Sequence, residues 1–217
     1  GEAAPEVEGP NEPVVVASSP EPEAQRPAEH GIIHRDNTFG TPEEDAFRRD
    51  FTINGLFYDI GTFSVIDYVG GLADLQARVV RSIGDPRVRF VEDPVRMLRA
   101  IVMASRLGFD LDTLVVEAIA EHRGLIAHAS PARLMEEYYK ILRSGSAEAT
   151  FRALGRARLL ELITPELKSP PEALWDWLAR LDRYRAQFPS APPELTNTLL
   201  IGALLVSTGI LERQPPP

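Results

Sequence analysis

The sequence of 217 residues contains no cysteine, so disulfide bonds and thiolate chemistry are excluded and a reducing compartment is expected. The apolar stretch TLLIGALLVSTGIL at 198–211 is too short to span a bilayer and predicts a buried helix. The first residues are acidic and proline-rich, unlike the basic start and apolar stretch of a signal peptide. These absences lead us to expect a cytoplasmic protein that makes no membrane contact.

An excess of basic residues is also lacking. The formal net charge of −9 argues, taken alone, against a nucleic-acid partner. However, residues 1–30 contain seven Glu and one Arg, so the other 187 residues carry only −3. Within 76–106, seven arginines stand against three acids, a local balance of +4. Because an anionic ligand responds to the local field, the overall charge does not exclude one.

The pattern along the chain changes near residue 85. Residues 1–37 are rich in Pro, Glu, Ala and Ser without periodicity, and we expect them to be disordered. Thr41-Pro42 predicts a helix start, the runs GLFYDI and FSVIDYV predict a β-hairpin, and 71–84 predicts a short helix and a strand. Further helices are predicted at 94–107, 112–122, 131–144, 147–154 and 172–184. The expected fold class is α+β, with a small α/β part followed by an all-α region.

The stretch EDPVRMLRA at 92–100 concentrates charge at a predicted helix start. If Pro94 opens the helix, Asp93 lies at its cap, and Arg96, Arg99 and Arg106 follow at helical spacing. An Asp and an Arg one turn apart can read the edge of a base, while a further arginine can reach a phosphate. The alternative interpretation is a helix cap followed by a solvated arginine face.

The stretch RRDFTIN at 48–54 places charges against apolar residues. Its alternative interpretation is two arginines that close a helix, with Asp50 as the cap of the next segment. However, Asp50 and Asn54 flank a segment that is too apolar for a loose loop. The polar groups are therefore expected at the edge of the core, which favours a binding site over a solvated surface.

Taken in order, RRDFTIN, Asp67 with Gly71, and EDPVRMLRA resemble motifs of the class II nucleotidyltransferases. This family comprises the tRNA CCA-adding enzymes and the bacterial poly(A) polymerases, and the resemblance runs from Arg35 to Ser144. RDNTFGT before the first helix and the pair Phe57-Tyr58 are more similar to the poly(A) polymerases.

The resemblance implies roles for individual residues near 48–54. Asp50, together with Arg49, would recognise the ribose and would belong to the catalytic aspartates. Arg49 would also help to hold the triphosphate, and Asn54 would line the nucleotide site.

The resemblance extends to the later motifs. Asp93 and Arg96 would face the incoming base, and Arg99 would face the nucleotide phosphates. Asp67 and Gly71 would form a flexible joint between head and neck. The implied domains are the remainder of a nucleotidyltransferase head at 38–84, a base-recognising helical neck at 85–145 and a truncated helical body at 146–217.

Two features of the family pattern are missing or altered. In the family, an Asp-x-Asp after a Gly-Ser turn holds two Mg²⁺ ions, and neither motif precedes Asp50 here. We therefore expect the sequence to lack the first catalytic strands, to be inactive alone, and to have its magnesium ligands mainly outside these residues. Val102 and Met103 also stand where the family has an arginine and a phenylalanine, which removes one nucleotide contact.

The resemblance implies template-independent addition of AMP from ATP to RNA 3′ ends, with ATP and an RNA end as partners and Mg²⁺ as cofactor. One alternative is a CCA-adding tRNA nucleotidyltransferase, which would also use CTP. An alternative of another class is a non-catalytic nucleotide- or RNA-binding module without a metal site. The sequence leaves the oligomeric state open.

Overall fold

A capped helix opens the part of the chain that a computed structural model describes, residues 40–209. Helix α1 spans Pro42–Arg48. The Thr41 hydroxyl accepts a hydrogen bond from the Glu44 amide, and the Glu44 carboxylate accepts one from the Thr41 amide. This reciprocal capping confirms the helix start that Thr41 and Pro42 predict. The segment 1–37, predicted to be disordered, lies outside the described residues.

The predicted hairpin and the helix after it are confirmed. Strand β1, Leu56–Asp59, pairs antiparallel with β2, Ser64–Asp67, after a short 3₁₀ turn at Thr52–Asn54. Helix α2 spans Gly71–Ala77 and leads into the short strand β3, Val79–Val80.

One strand interrupts the region that the sequence predicts to be all-helical. Strand β4, Asp110–Leu111, pairs in parallel with β3. Gly108, in a left-handed conformation with φ of 65°, ends the preceding helix and turns the chain back towards β3. The seam near residue 85 is therefore bridged by backbone pairing, which periodicity alone does not predict.

The remaining elements are helices, and the five predicted after residue 85 are all present. The fold class is α+β, with two small two-stranded sheets and helices elsewhere. The helices are α3 Pro86–Glu92, α4 Val95–Leu107, α5 Thr113–His122, α6 Pro131–Leu142, α7 Ala147–Arg156, α8 Leu160–Ile163, α9 Glu172–Arg185 and α10 Asn197–Ser207, with 3₁₀ turns at Arg123–His128 and Pro165–Leu167.

A single apolar core runs through the described residues. Helix α4 is central to it, because Met97 and Leu98 are fully buried and α4 packs against β3, β4, α6 and α7. Phe51 joins this core from the part before residue 85, and Phe151 joins it from α7. The core is thus continuous across the predicted boundaries at residues 85 and 146, and those boundaries stay predictions.

Helix α10 forms as predicted but is buried on one side only. Leu200 and Leu204 are buried, whereas Leu199 and Val206 are 53% and 67% exposed. Its partners α6 and α9 cover a single face of this apolar helix. Among residues 40–209, no helix combines the length and the apolar character needed to cross a bilayer.

Candidate nucleotide-binding site

Backbone pairing fixes the segment that carries Asp50. The Ile83 amide donates to the Asp50 carbonyl oxygen at 3.1 Å, and the Thr52 amide donates to the Arg81 carbonyl oxygen at 3.0 Å. Between these two bonds the Phe51 side chain is 1% exposed and anchors the segment in the core. The Asp50 side chain is therefore held in a fixed direction at the rim of the core, which explains why charges adjoin apolar residues here.

The Asp50 carboxylate bridges two arginines of helix α4. Its Oδ1 accepts from Arg96 Nε at 2.9 Å, and its Oδ2 accepts from Arg99 Nη1 at 3.0 Å. The Asp50 side chain is only 18% exposed. The motifs RRDFTIN and EDPVRMLRA, more than forty residues apart in sequence, therefore meet in one ion-pair cluster.

The cluster continues onto helix α6. Arg99 Nε donates to Glu137 Oε1 at 3.1 Å, and Lys140 Nζ donates to the same oxygen at 3.1 Å. The Glu137 side chain is only 6% exposed. Burial acts to lower the pKa of the Arg99 guanidinium, but its hydrogen bonds to Glu137 and Asp50 outweigh burial and raise that pKa. Arg99 is therefore a permanent cation of fixed orientation.

The side chains of Asp93 and Arg96 each have other partners. Asp93 Oδ2 accepts from Arg133 Nη2 at 2.6 Å, and its Oδ1 accepts from the Val95 amide at 3.2 Å, as expected of a cap. Arg96 binds Asp50 and donates to Glu92 Oε2 at 3.0 Å. Burial acts to raise the pKa of the Asp93 carboxyl, but the hydrogen bond and charge of Arg133 lower it overall. Joint base reading by Asp93 and Arg96 stays a prediction.

Arg49 lies across the turn that comes after it. Its Nη2 donates to Asp45 Oδ2 at 2.8 Å, and its Nη1 donates to the backbone oxygen of Asn54. The guanidinium carbon stands 4.6 Å from the centre of the Phe57 ring. The turn at Thr52–Asn54 is therefore braced by Arg49, while the Asn54 side chain is exposed.

Two cavities adjoin this cluster and share Asp50 and Asn54. One, of about 370 Å³, is lined by these two residues and Arg49. The other has a volume of about 250 Å³. Its lining comprises Asp50, Phe51, Asn54, Arg99, Val102, Met103, Arg106, Glu137, Lys140 and Ser144. The structure thus brings together Arg49, Asp50, Asn54 and Arg99, whereas Asp93 and Arg96 stand outside both linings.

Sequence reasoning missed Glu137 and Lys140 as lining residues, and it named Arg106 only as one of three arginines at helical spacing. The sequence does contain a signal for Glu137. This acidic residue falls among the core-facing positions of α6, beside the buried Tyr138 and Ile141. A charged residue at such a position needs a partner, and here Arg99 provides it. Val102 also lines the cavity, so the side chain that replaces the family arginine faces this space.

The predicted joint at Asp67 and Gly71 is held by backbone hydrogen bonds and packs against the turn that follows Asp50. The amides of Val69, Gly70 and Gly71 donate to Asp67 Oδ1, and the Leu72 amide donates to its Oδ2 at 2.9 Å. Burial acts to raise the pKa of Asp67, but these four amides lower it overall. A Cβ on Gly71 would lie 2.3 Å from the Thr52 carbonyl oxygen, so only glycine fits there. The hinge role stays a prediction.

The described residues do not fit a magnesium site. Within 40–209, no group of three or more His, Asp or Glu side chains is placed to hold a metal ion. Both oxygens of Asp50 are already bound by guanidinium groups. No step of nucleotide transfer is therefore assigned to a metal held by these residues.

Comparison with known families gives two matches. Residues 15–81 match the poly(A) polymerase head domain, and residues 108–169 match the probable RNA- and SrmB-binding site of polymerase A. Poly(A) polymerase I of Salmonella typhimurium is 45% identical over 139 residues, which are 64% of this chain and 30% of that enzyme. The chain belongs to the poly(A) polymerase and CCA-adding enzyme family of nucleotidyltransferases.

Other members of the family are also similar. The CCA-adding enzyme of Bacillus subtilis is 40% identical over 119 residues, 55% of this chain and 30% of that enzyme. The Bacillus stearothermophilus CCA-adding enzyme in complex with CTP superposes with a TM-score of 0.58 at 26% identity, covering 80% of this chain and 48% of that structure. A tRNA nucleotidyltransferase with a primer tRNA and an ATP analog has a TM-score of 0.57 at 30% identity, covering 76% and 50%. The chain thus spans about a third of the length of its curated relatives.

Proposed function

We propose that the site around Asp50 binds the nucleotide substrate of an enzyme that adds AMP from ATP to RNA 3′ ends without a template. The observation that carries the proposal is the bridge from Asp50 to Arg99, made at the two cavities that Arg49 and Lys140 also line. The cavity linings contain four cations, Arg49, Arg99, Arg106 and Lys140, against two carboxylates, Asp50 and Glu137. This excess of positive charge suits a triphosphate.

The arrangement assigns a task to each side chain. Arg99, fixed by Glu137 and Asp50, and Arg49, braced on the Thr52–Asn54 turn, bind phosphate oxygens. The cavity wall formed by Val102 and Met103 offers an apolar surface for the base. These residues bind and orient the nucleotide, so that an RNA 3′-hydroxyl attacks the α-phosphorus and pyrophosphate leaves. Mg²⁺ would be held mainly by residues outside those described.

The choice of ATP rests on the relatives. Identity to poly(A) polymerase I is higher and extends over more residues than identity to the CCA-adding enzyme, 45% over 139 against 40% over 119. Cytoplasmic polyadenylation of mRNA belongs to the same proposal. The alternative, CCA addition, has the support of the solved CCA-adding relatives, one of them in complex with CTP.

The test is nucleotide binding to the whole 217-residue chain, measured by calorimetry with ATP and with CTP in the presence of Mg²⁺. Arg99→Gln should weaken ATP binding about tenfold, because it removes one charged hydrogen bond to phosphate. Arg158→Gln is the matched control, since this arginine is exposed and lines neither cavity of the site, and it should leave ATP affinity unchanged.

Three results would redirect the proposal. Equal affinity for CTP and ATP would favour a CCA-adding enzyme. ATP binding that Arg99→Gln leaves intact would remove Arg99 from the site. Nucleotide binding by the chain, without transfer by any longer protein that contains it, would favour the non-catalytic binding module.

A further inference from the structure

A second basic cavity lies between α7, α8 and α9. Its volume is about 440 Å³, and it shares no lining residue with the two cavities at Asp50. We name it the Arg/Trp cavity and define it by Arg152, Arg156, Arg158, Glu161, Lys168 and Trp175. Four of these side chains are cations and one is a carboxylate, in a chain whose net charge is −9. The cavity therefore concentrates positive charge against the overall balance.

Two of the cations are unpaired within residues 40–209: no carboxylate there forms an ion pair with Arg156 or Lys168. Arg152 binds Glu148 at 2.9 Å, and Arg158 binds Glu161 at 3.0 Å with its own side chain 64% exposed. The Arg152 side chain is 43% exposed, and ion pairs that water reaches in this way contribute little stability. All four cations can therefore turn to an incoming anionic ligand.

The backbone at Arg158 adds a second observation. Its φ of 59° is left-handed, and it follows the C-terminal cap of α7, where glycine is the favoured residue. An arginine here is conformationally disfavoured, and its one ion pair is exposed. The turn that ends α7 accounts for this conformation, since the Leu159 amide donates to the Leu154 carbonyl oxygen at 3.0 Å, and it holds Arg158 in the lining of the cavity.

Trp175 makes the cavity more than a charged surface. The Arg152 guanidinium carbon stands 4.2 Å from the centre of its indole ring. Aromatic rings and arginine guanidinium planes are both groups on which unpaired bases stack, largely without regard to sequence. Beside them stand the cations that contact phosphates, so the cavity offers both groups that single-stranded nucleic acid needs.

We propose that the Arg/Trp cavity binds single-stranded RNA, with Arg156, Arg158 and Lys168 on phosphates and Trp175 with Arg152 stacking a base. The inference rests on the proposed function, in which an RNA strand is the acceptor. The four cations all lie within 108–169, the range that matches the RNA- and SrmB-binding model. Stacking planes beside unpaired cations favour RNA over a protein partner. Helix α7 packs on α4, so the strand is held on the element next to the one that carries Arg99.

Gly155 provides a test that spares the fold. It lies on α7 in the lining of the cavity, and a Cβ built on it meets no atom within 4 Å. Gly155→Glu therefore places a negative charge among the cations, and Gly155→Gln is the neutral control of the same shape. Fluorescence anisotropy of a labelled single-stranded oligoadenylate with the whole chain should show about tenfold weaker binding for Gly155→Glu than for Gly155→Gln. Calorimetry on the same two proteins should show equal ATP affinity.

A salt titration gives an independent measurement. The double variant Arg156→Gln/Lys168→Gln should reduce the slope of log affinity against log salt by about 0.7 for each phosphate that its cation no longer neutralises. Equal RNA affinity of the Gly155→Glu and Gly155→Gln proteins, or no RNA binding by the wild-type chain, would overturn the inference. If the chain binds no nucleotide but RNA binding still depends on Gly155, the inference stands and the proposed function fails.

Discussion

Arginine serves two different arrangements in this molecule. In the candidate nucleotide-binding site, Arg99 forms ion pairs with Asp50 and Glu137, whose side chains are 18% and 6% exposed. In the Arg/Trp cavity, Arg158 has one exposed ion pair, and Arg156 has none among the described residues. The first arrangement fixes the direction of its donors, whereas the second leaves them free to move.

The difference corresponds to the ligands that we propose. A nucleotide presents phosphates, ribose and base in one compact unit, so donors of fixed geometry gain both affinity and orientation. An RNA backbone presents a flexible row of charges, for which positive charge and stacking matter more than fixed directions. The two lysines of the chain show the same contrast. Lys140 forms an ion pair with the buried Glu137, whereas Lys168 is exposed in the Arg/Trp cavity.

The largest expected difference is in stability. Glu137→Gln leaves Arg99 and Lys140 without their shared carboxylate. Breaking a buried ion pair costs about 3–5 kcal/mol, but both cations reach water, so we expect a loss of about 2 kcal/mol. Glu161→Gln in the Arg/Trp cavity should change the unfolding free energy by less than about 0.5 kcal/mol. Urea unfolding followed by circular dichroism measures both losses of stability. Equal losses would contradict the contrast between the buried ion pairs of Arg99 and the exposed ion pair of Arg158.

A second difference concerns base selectivity. Asp93→Asn keeps an acceptor for the Val95 amide, so the start of α4 is retained, but it removes the charge that binds Arg133. If Asp93 reads the base, the preference for ATP over CTP should fall about tenfold, since a lost paired group costs about 1–3 kcal/mol. Lys168→Gln should leave this preference unchanged. Calorimetry with both nucleotides gives the ratio.

A control separates base reading from simple positioning. Arg133→Gln removes the partner of Asp93 while Asp93 itself remains. A fall in selectivity with both Asp93→Asn and Arg133→Gln would indicate that Arg133 orients Asp93. Unchanged selectivity with Asp93→Asn, accompanied by lower stability, would limit Asp93 to capping α4.

Local patterns in the sequence predicted much of the fold. Thr41-Pro42, the hairpin runs and the helical periodicity after residue 85 each depend on neighbouring residues, and each element forms. Strand β4 was missed because two residues carry no periodic signal and its partner β3 lies thirty residues earlier. The one-sided burial of α10 was missed because an apolar sequence does not tell how many faces find a partner.

The sequence predicted those residues of the candidate site that belong to motifs, but not the contacts between them. The motifs pointed to Asp50, Arg49 and Arg99, and the structure places these residues at the two adjoining cavities. They did not reveal that Asp50 takes Arg96 as its partner, because that contact crosses forty-six positions and depends on how 50–52 pairs with 81–83. The Arg/Trp cavity was missed altogether, since its cations lie on α7 and in two turns that follow it, and no motif links them.

The smallest expected effect compares two helix-capping carboxylates in acid. Asp93, beside the candidate nucleotide-binding site, has a lowered pKa, because the effect of Arg133 outweighs that of burial. Asp182, which accepts hydrogen bonds from the Ala147 and Glu148 amides at the start of α7, has a raised pKa, because burial outweighs those bonds. These opposite shifts predict opposite contributions to the pH dependence of stability.

The sign depends on proton binding. The unfolded state binds the proton on Asp93 more tightly than the folded state, so the stability that Asp93 contributes is present above the unfolded pKa, about 3.9, and is lost as the pH falls through the folded value. For Asp182 the folded state binds the proton more tightly, so its contribution falls as the pH rises from about 3.9 through the raised folded value. From about pH 3 to pH 6, the stability of the wild type minus that of Asp93→Asn should therefore rise, and the same difference for Asp182→Asn should fall. Urea unfolding across this range measures both slopes. If both stability differences changed with pH in the same direction, the opposite pKa shifts of Asp93 and Asp182 would be contradicted.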